Sequence, residues 1–332
     1  MRPLRRSLQL TGKRSYSITL PKGWVSAQGL KTGDSLILEV CEDGTIRVKP
    51  EMRGPTRENS KFIINDTALI GRDVLAAYLM GYDNIVIEAK KPLSQENVKN
   101  VKMVIRGLAG AEIIDEGENR IEIQILLDSG AVEPMKVLSR QNSLVKSMIN
   151  DAFLSIINVN NERAMKVLGR DEEVDRHYFT LVRVVRAAMK DPVIASELKL
   201  NALQLMDIRL VAKFIEDVGD RAANMASHTL LEGFKGFSDE MNELLGNLNE
   251  VLITLQNSAF EAFTNEDLKL ATEVIKARER VINLITKISK LQEPTASPTK
   301  SATMILLNAD AINLNQVDIA DIVAPAKRTA LQ

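Results

Sequence analysis

Cysteine occurs once, at Cys41, and histidine twice, at His177 and His228. A single cysteine excludes an internal disulfide framework and any Cys-rich zinc module, and it fits a reducing cytosol. Two histidines cannot build a His-rich metal centre. Aromatic residues make up 4% of the chain, with one tryptophan, Trp24; a large β-sandwich or propeller carries more. No apolar run reaches the roughly 18 residues of a membrane-spanning helix. The opening Met1-Arg2-Pro3-Leu4-Arg5-Arg6 lacks the apolar stretch of a signal peptide. A cytoplasmic protein without membrane insertion is therefore expected. Gly-rich phosphate loops, nucleophile–base constellations and paired Glu-x-x-His motifs are missing too, so no catalytic residues and no enzyme are expected. What remains is a chain of 332 residues, 45% hydrophobic and 26% charged, long enough for two or three cored folding units.

The formal net charge of −1 conceals a division. Residues 1–50 carry nine basic side chains (Arg2, Arg5, Arg6, Lys13, Arg14, Lys22, Lys31, Arg47, Lys49) against four acidic ones, a balance of +5. That leaves 34 basic against 40 acidic beyond them, a balance of −6. No acidic residue precedes Asp34. A cationic end on an anionic body is the asymmetry of a nucleic-acid or membrane contact.

Three patterns follow one another. Residues 7–49 alternate in short strands and turns, with Leu36, Leu38 and Val40 on one strand face and Asp43-Gly44 as a hairpin turn. Fewer than 50 residues of this kind cannot close a core alone, so the unit is expected to dimerise. After a polar linker at 51–60, strands alternate with helices: a strand at 61–65, a helix capped by Asp66 and running to about Met80, a strand at 84–88, a helix at 94–107, and a hairpin over 111–126. From about Val132 onward the spacing is helical. Breaks at Asp191-Pro192, Gly233 to Gly236 and Glu293-Pro294 divide this stretch into about six helices, in two halves that look faintly alike. The expected domains are 1–52, a small α/β module at 60–130, and an all-α pair of three-helix bundles at 135–332, with repeats of about 135–235 and 236–332. The fold class is multidomain α+β.

Within the first pattern stand Ser7-Leu8-Gln9-Leu10-Thr11-Gly12, then Thr19-Leu20-Pro21-Lys22-Gly23-Trp24, then Leu30-Lys31-Thr32-Gly33-Asp34. In that order they resemble the AbrB-like swapped-hairpin domain, known by "T-L-P-K", a short helix and "L-x-x-G-D". The resemblance implies an interleaved homodimer whose basic loops contact DNA, with Arg5, Arg6, Lys13, Arg14 and Lys22 on the matching face. Arginine forks suit guanine edges and phosphates. A hairpin used only for dimerisation is the competing reading.

In the helical part, Val211, Ile215, Val218, Ala222 and Met225 form an apolar stripe. Glu216 and Asp220, four apart, share a face where like charges oppose the helix by a few tenths of a kcal/mol. Asp217 has Lys213 and Arg221 within a turn. Such a carboxylate pair calls for water or a cation, and oxygen ligands suit Mg²⁺, Mn²⁺ or iron; a solvated face or interhelical salt bridges fit the pattern as well. Glu216-Asp217-Val218-Gly219-Asp220-Arg221-Ala222-Ala223-Asn224-Met225-Ala226 resembles the signature of PhoU domains. Asp171-Glu172-Glu173-Val174-Asp175-Arg176 resembles that family's partner helix. The resemblance implies two three-helix repeats, each with an acidic metal site; here Glu216, Asp220, Asp171 and Asp175 would hold a divalent metal or iron. In the second half Leu314 stands at the position of Asp220 and Arg278 at that of Asp171, so the second site is expected to be lost. An AbrB-like end before a PhoU domain is the arrangement of archaeal phosphate-uptake regulators, which implies transcription regulation of phosphate homeostasis, with phosphate-transport components as further partners. The alternative is an adaptor regulating a phosphate transporter by protein contact. His228 is expected to cap a helix C-terminus, and His177 to pack.

Overall fold

The computed structural model describes residues 4–12, 15–40, 44–51, 61–65, 69–291 and 298–323. Lys13, Arg14, Cys41, Asp43, Asp66 and the Glu293-Pro294 break lie outside them. Contacts divide the chain into Met1–Asn59 and Ser60–Gln332, taken here in turn.

The first unit is two hairpins and a short helix. β1 (Gln9–Thr11) pairs antiparallel with β2 (Ser15–Ser17), and β3 (Leu36–Val40) with β4 (Ile46–Pro50). α1 (Lys22–Ala27) opens after Pro21, whose φ of −64° suits a helix start. It closes on Gly29 at φ +65°, where the amides of Gly29 and Leu30 donate to the carbonyls of Ser26 and Val25, the paired bonds of a Schellman cap. Asp34 Oδ2 accepts from the Lys31 amide at 2.7 Å, folding the Lys31–Asp34 turn back on itself. So the "L-x-x-G-D" stretch works as a turn. No described residue of this unit is buried in the single chain. Leu38 and Val40 are 67% and 77% exposed, and Leu10, Tyr16, Ile18 and Ile46 also face solvent.

The second unit begins with a four-stranded sheet in the order β5-β6-β8-β7, from β5 (Lys61–Asn65), β6 (Asn84–Glu88), β7 (Ala111–Glu116) and β8 (Arg120–Ile125). β5 and β6 run parallel, as the crossover helix α2 (Ile70–Leu79) requires; the remaining pairs are antiparallel. Ile121, Ile123 and Ile125 alternate onto the buried face with Ile85 and Ile87, against Val74 and Tyr78 of α2 and Val101 of α3 (Gln95–Arg106). α3 starts on Ser94, whose side chain accepts from the Asn97 amide, an N-cap worth about 1 kcal/mol. At α2 the expectation fails: its N-cap is Leu69 and makes no side-chain cap bond.

The helices that follow are α4 (Pro134–Ile157), α5 (Asn161–Lys190), α6 (Pro192–Leu198), α7 (Ala202–Ser227), α8 (Asp239–Asn265), α9 (Leu268–Lys290) and α10 (Pro298–Asp321). α4, α5 and α7 form one bundle and α8, α9 and α10 the other, joined where α10 meets α7 and α4 meets α8. α6 is an element beyond the six expected: Asp191 caps it, accepting from the Val193 amide, and Pro192 is its first residue. α7 has a reciprocal cap between Asn201 and Gln204. His228 does close α7, but burial pushes its pKa down, so it favours the neutral ring over the expected cation.

The sheet module is bolted to α5 by cations. Arg183, 1% exposed, donates to the carbonyls of Tyr78 and Tyr82 at 2.8 and 3.0 Å, pairs with Asp83 at 2.6 Å and lies over the Tyr78 ring. One turn on, Arg186 reaches the Leu79 carbonyl, and Lys190 that of Met80. Arg176 donates to the Arg106 carbonyl at the end of α3. Four cations of one helix thus satisfy terminal carbonyls of two others, where positive charge is favoured.

Candidate metal centre and cationic amino-terminal unit

The α5–α7 seam owes its closeness to Gly219. A Cβ there would lie 3.2 Å from Val174 Cγ1 and 3.7 Å from Asp171 Oδ1, so the glycine lets α7 press onto the acidic turn of α5. Glycine inside a helix costs about 1 kcal/mol, and here it is what brings Asp171 and Asp175 beside Asp220.

Glu216, Asp217 and Asp220 each offer an oxygen within 4.8 Å of the others. Glu216 is 8% exposed. Burial pushes its carboxyl up to about 7, with Lys213 pulling the other way and Asp220 and Asp217 adding to the rise. Burial, then Asp220 and Asp175, lifts Asp171 to about 6. Asp175 and Asp220 are also raised, each chiefly by burial. Four carboxylates whose ionised forms are disfavoured by burial and by one another's charge make a site that stabilises added positive charge.

Lys213 supplies part of that charge. Its ammonium bonds Glu216 and also pairs with Asp217 at 2.9 Å. Hydrogen bonds to both carboxylates raise its pKa, although burial opposes the rise. Tyr178 on α5 lies beneath both Lys213 and Arg209, at 5.5 and 4.8 Å from the ring centre. Asp171 Oδ1 is buried and makes no hydrogen bond. An orphaned carboxylate oxygen beside an all-oxygen donor set fits a hard cation such as Mg²⁺, Mn²⁺ or iron; Lys213 would have to release Glu216 for that residue to take part. Sequence spacing pointed to Glu216 and Asp220. It placed Lys213 within a turn of Glu216 and Asp217, but did not reveal Asp217 as a ligand candidate or Gly219 as the spacer. A glycine in the middle of a 26-residue helix was the available signal for the last.

The second bundle solves the same geometry differently. Arg278 pairs with Asp310 at 2.7 Å and donates to Asn313 at 3.0 Å. Arg278 holds the place of Asp171, Asp310 that of Glu216, and Asn313 that of Gly219. A guanidinium fills the position between helices, and Asn313 is further held by Gln316.

In the first unit Arg5, Arg6 and Lys22 are exposed. Arg6 donates to the Arg5 carbonyl at 3.0 Å, and Lys22 is the first residue of α1. Lys13 and Arg14 fall in the β1–β2 connection, outside the described residues. No helix among the described residues is long and apolar enough to cross a membrane.

Comparison with known proteins gives two matches along this chain. The PhoU domain profile matches residues 138–229, and that of the antidote-toxin recognition MazE, bacterial antitoxin family, matches residues 9–56. A phosphate-specific transport system accessory protein PhoU homolog of Clostridium acetobutylicum is 26% identical over 149 residues, 44% of this chain and 64% of that protein. A homolog of the same description from Aquifex aeolicus is 32% identical over 104 residues, 31% of this chain and 44% of that protein. The chain thus spans less than two thirds of the length of either relative. The crystal structure of PhoU from Pseudomonas aeruginosa superposes with a TM-score of 0.51 at 19% identity, over 57% of this chain and 93% of that one, which establishes a shared fold for the helical half. Two recognisable modules therefore stand in one chain: a MazE/AbrB-like domain at the amino-terminal end and a PhoU domain in the helical part.

Proposed function

We propose that this protein is a homodimeric, cytoplasmic, DNA-binding regulator of phosphate uptake, non-enzymatic, whose PhoU domain senses and whose MazE/AbrB-like unit binds the operator. The observation that carries the reading is the first unit itself: strands rich in exposed Leu, Ile, Val and Tyr, with no buried residue among those described, beside exposed Arg5, Arg6 and Lys22. Such a unit is incomplete until a second copy covers its apolar faces. Pairing two copies doubles the cations, and with Lys13 and Arg14 each dimer brings ten to a duplex.

The sensing end is assigned to Asp171, Asp175, Glu216 and Asp220. A bound divalent metal or iron supplies positive charge that relieves repulsion among these carboxylates. Without it Lys213 holds Glu216 and Asp217, and Asp171 keeps its proton up to about pH 6. Because α5 carries both Asp171 and the cations that grip the sheet module, the module follows α5 as one piece.

The test is a salt titration of DNA binding by the full chain. A dimer making six to ten phosphate contacts loses about 10³–10⁵ in affinity between 50 and 200 mM salt. Changing Arg5, Arg6 and Lys22 together to Ala is expected to flatten that slope and weaken binding at every salt concentration. Indifference to DNA at low salt, or binding unchanged by the triple substitution, overturns the reading. A second reading is favoured by the names of the relatives, which are accessory proteins of phosphate-specific transport systems. It makes the chain a transporter adaptor with the hairpins serving only dimerisation, and transporter association without DNA affinity would support it.

A further inference from the structure

The second bundle sorts its charge by helix. α8 carries five acidic side chains and no basic one, whereas α9 carries six basic against two acidic. One of the six, Arg278, pairs with Asp310 of α10. Most of the others gather outside. Lys269, Glu273, Lys276, Arg280, Asn283 and Lys287 recur at alternating steps of four and three, so they share one side of the helix, and all six are exposed. Ala271, Val274, Val281 and Ile288 hold the far side in the core. Lys276, Arg280, Asn283 and Lys287 also line one shallow groove, with Glu279 and Leu284.

An ordinary solvated helix face interleaves opposite charges three or four apart, as Glu162 and Lys166 do on α5 and Lys213 and Asp217 on α7. α9 departs from that pattern. Lys276 and Arg280 are like charges four apart, which opposes the helix. Lys269 sits in the first turn, where the helix dipole disfavours a cation; Lys287 alone of the four gains from its place in the last turn. Among the described residues none of these four cations forms an ion pair, although Glu273 lies within a turn of Lys269 and Lys276.

We propose that this row meets the sugar–phosphate backbone of duplex DNA, as a second contact in addition to that of the amino-terminal unit. The inference rests on the DNA-binding reading above. Lys269 and Lys287 are 18 positions apart, about 27 Å at 1.5 Å per residue, which is on the scale of one duplex turn of about 34 Å. Phosphates recur about every 3.4 Å along each strand. Flexible lysine and arginine stems can each reach one, and the Asn283 amide can donate to another. A protein partner calls for aromatic or aliphatic anchors, and lysine is depleted from such interfaces; the row offers no anchor. A membrane-surface helix inserts large apolar residues beside its cations. The row holds none, and Leu284 at its edge packs against the core.

The experiment measures binding of the full chain to a mixed-sequence duplex of about 40 bp, roughly four helical turns, by fluorescence anisotropy. KCl is varied from about 50 to about 200 mM. Lys276→Gln, Arg280→Gln and Lys287→Gln are combined in one variant. Lys136→Gln, Lys166→Gln and Lys235→Gln, all exposed and off α9, are combined in a control of the same net charge. Each phosphate contact contributes about 0.9 to the slope of log affinity against log salt. The α9 variant should therefore lose about 2.7 of slope for each chain bound, which removes roughly 40-fold of the salt-driven loss over this range. The control should keep the parent's slope. Equal slopes in the parent and the α9 variant, or equal losses in variant and control, overturn the inference and leave the amino-terminal contact standing. An unchanged DNA slope combined with lost co-sedimentation on phosphatidylcholine vesicles holding about 30% phosphatidylserine also overturns it, and assigns the row to an anionic membrane surface. No binding by the parent at the lowest salt overturns both readings.

Discussion

The two bundles start from the same three-helix plan and place opposite chemistry in the seam. In the first, Gly219 draws α7 against α5, Glu216, Asp217 and Asp220 crowd together beside Asp171, and Lys213 balances part of their charge. In the second, Asn313 takes the place of the glycine and Arg278 is fixed to Asp310 and Asn313. A covalently attached guanidinium cannot leave, whereas a lysine at the rim can swing away. The first seam leaves Asp171 Oδ1 buried without a hydrogen bond, while the second is satisfied by its own guanidinium.

The largest effect that tests the difference belongs to α5, which alone of these helices also carries the sheet module. Arg183→Ala strips a buried cation from Asp83 and two carbonyls, and breaking such a pair costs about 3–5 kcal/mol. Thermal unfolding should show either a strongly lowered midpoint or separate melting of the module. Gly219→Val comes next. Overpacking at 3.2 Å from Val174 should cost about 1–3 kcal/mol, and any metal response should weaken with it because Asp171 is pushed from Asp220. Asn313→Ala in the other seam should cost about 1–2 kcal/mol, by removing an acceptor from Arg278 and a donor from the buried Gln316.

A finer test imports one solution into the other. Asp171→Arg gives the first seam a fixed cation. The chain should then melt at the same temperature with or without Mn²⁺, whereas the parent chain should be stabilised by it. Equal stabilisation of both chains would remove Asp171 from the site. Smallest is a pH effect. The carboxyls of Asp171 and Glu216 titrate near 6 and 7 in the folded chain, above their unfolded values near 4. The folded chain therefore holds protons that the unfolded chain has released, so metal-free stability should be greatest below about pH 4 as far as these two groups go, and fall as pH rises to about 7. Melting curves of the parent chain and Asp171→Asn over this range give the slope; the substituted chain should show the shallower fall.

Much of the architecture could be read from spacing. The consecutive Ile85-Val86-Ile87 located β6, proline and glycine marked most of the helix breaks, and the four-residue interval of Glu216 and Asp220 placed both on one side of α7. Other features depend on distances across elements, which one-dimensional spacing does not carry. Lys213 sits three and four residues before Glu216 and Asp217 and so could be paired on paper, yet its place over Tyr178 needs α5 alongside. Arg183 looks like one more charge on a long helix, and only the arrival of Asp83 and the end of α2 explains its burial. α6 escaped notice because Pro192, which ends one helix, also begins the next.

The clamp between α5 and α2 sets where this protein can be divided. A fragment that starts at Pro134 would strand a desolvated guanidinium, three further basic groups and Phe179, which packs against the missing module, so assays on the excised bundle would report on a damaged molecule. The natural cut lies earlier in the chain, near Asn59, where the two compact units divide, and the part from Ser60 onward then keeps its own interior intact.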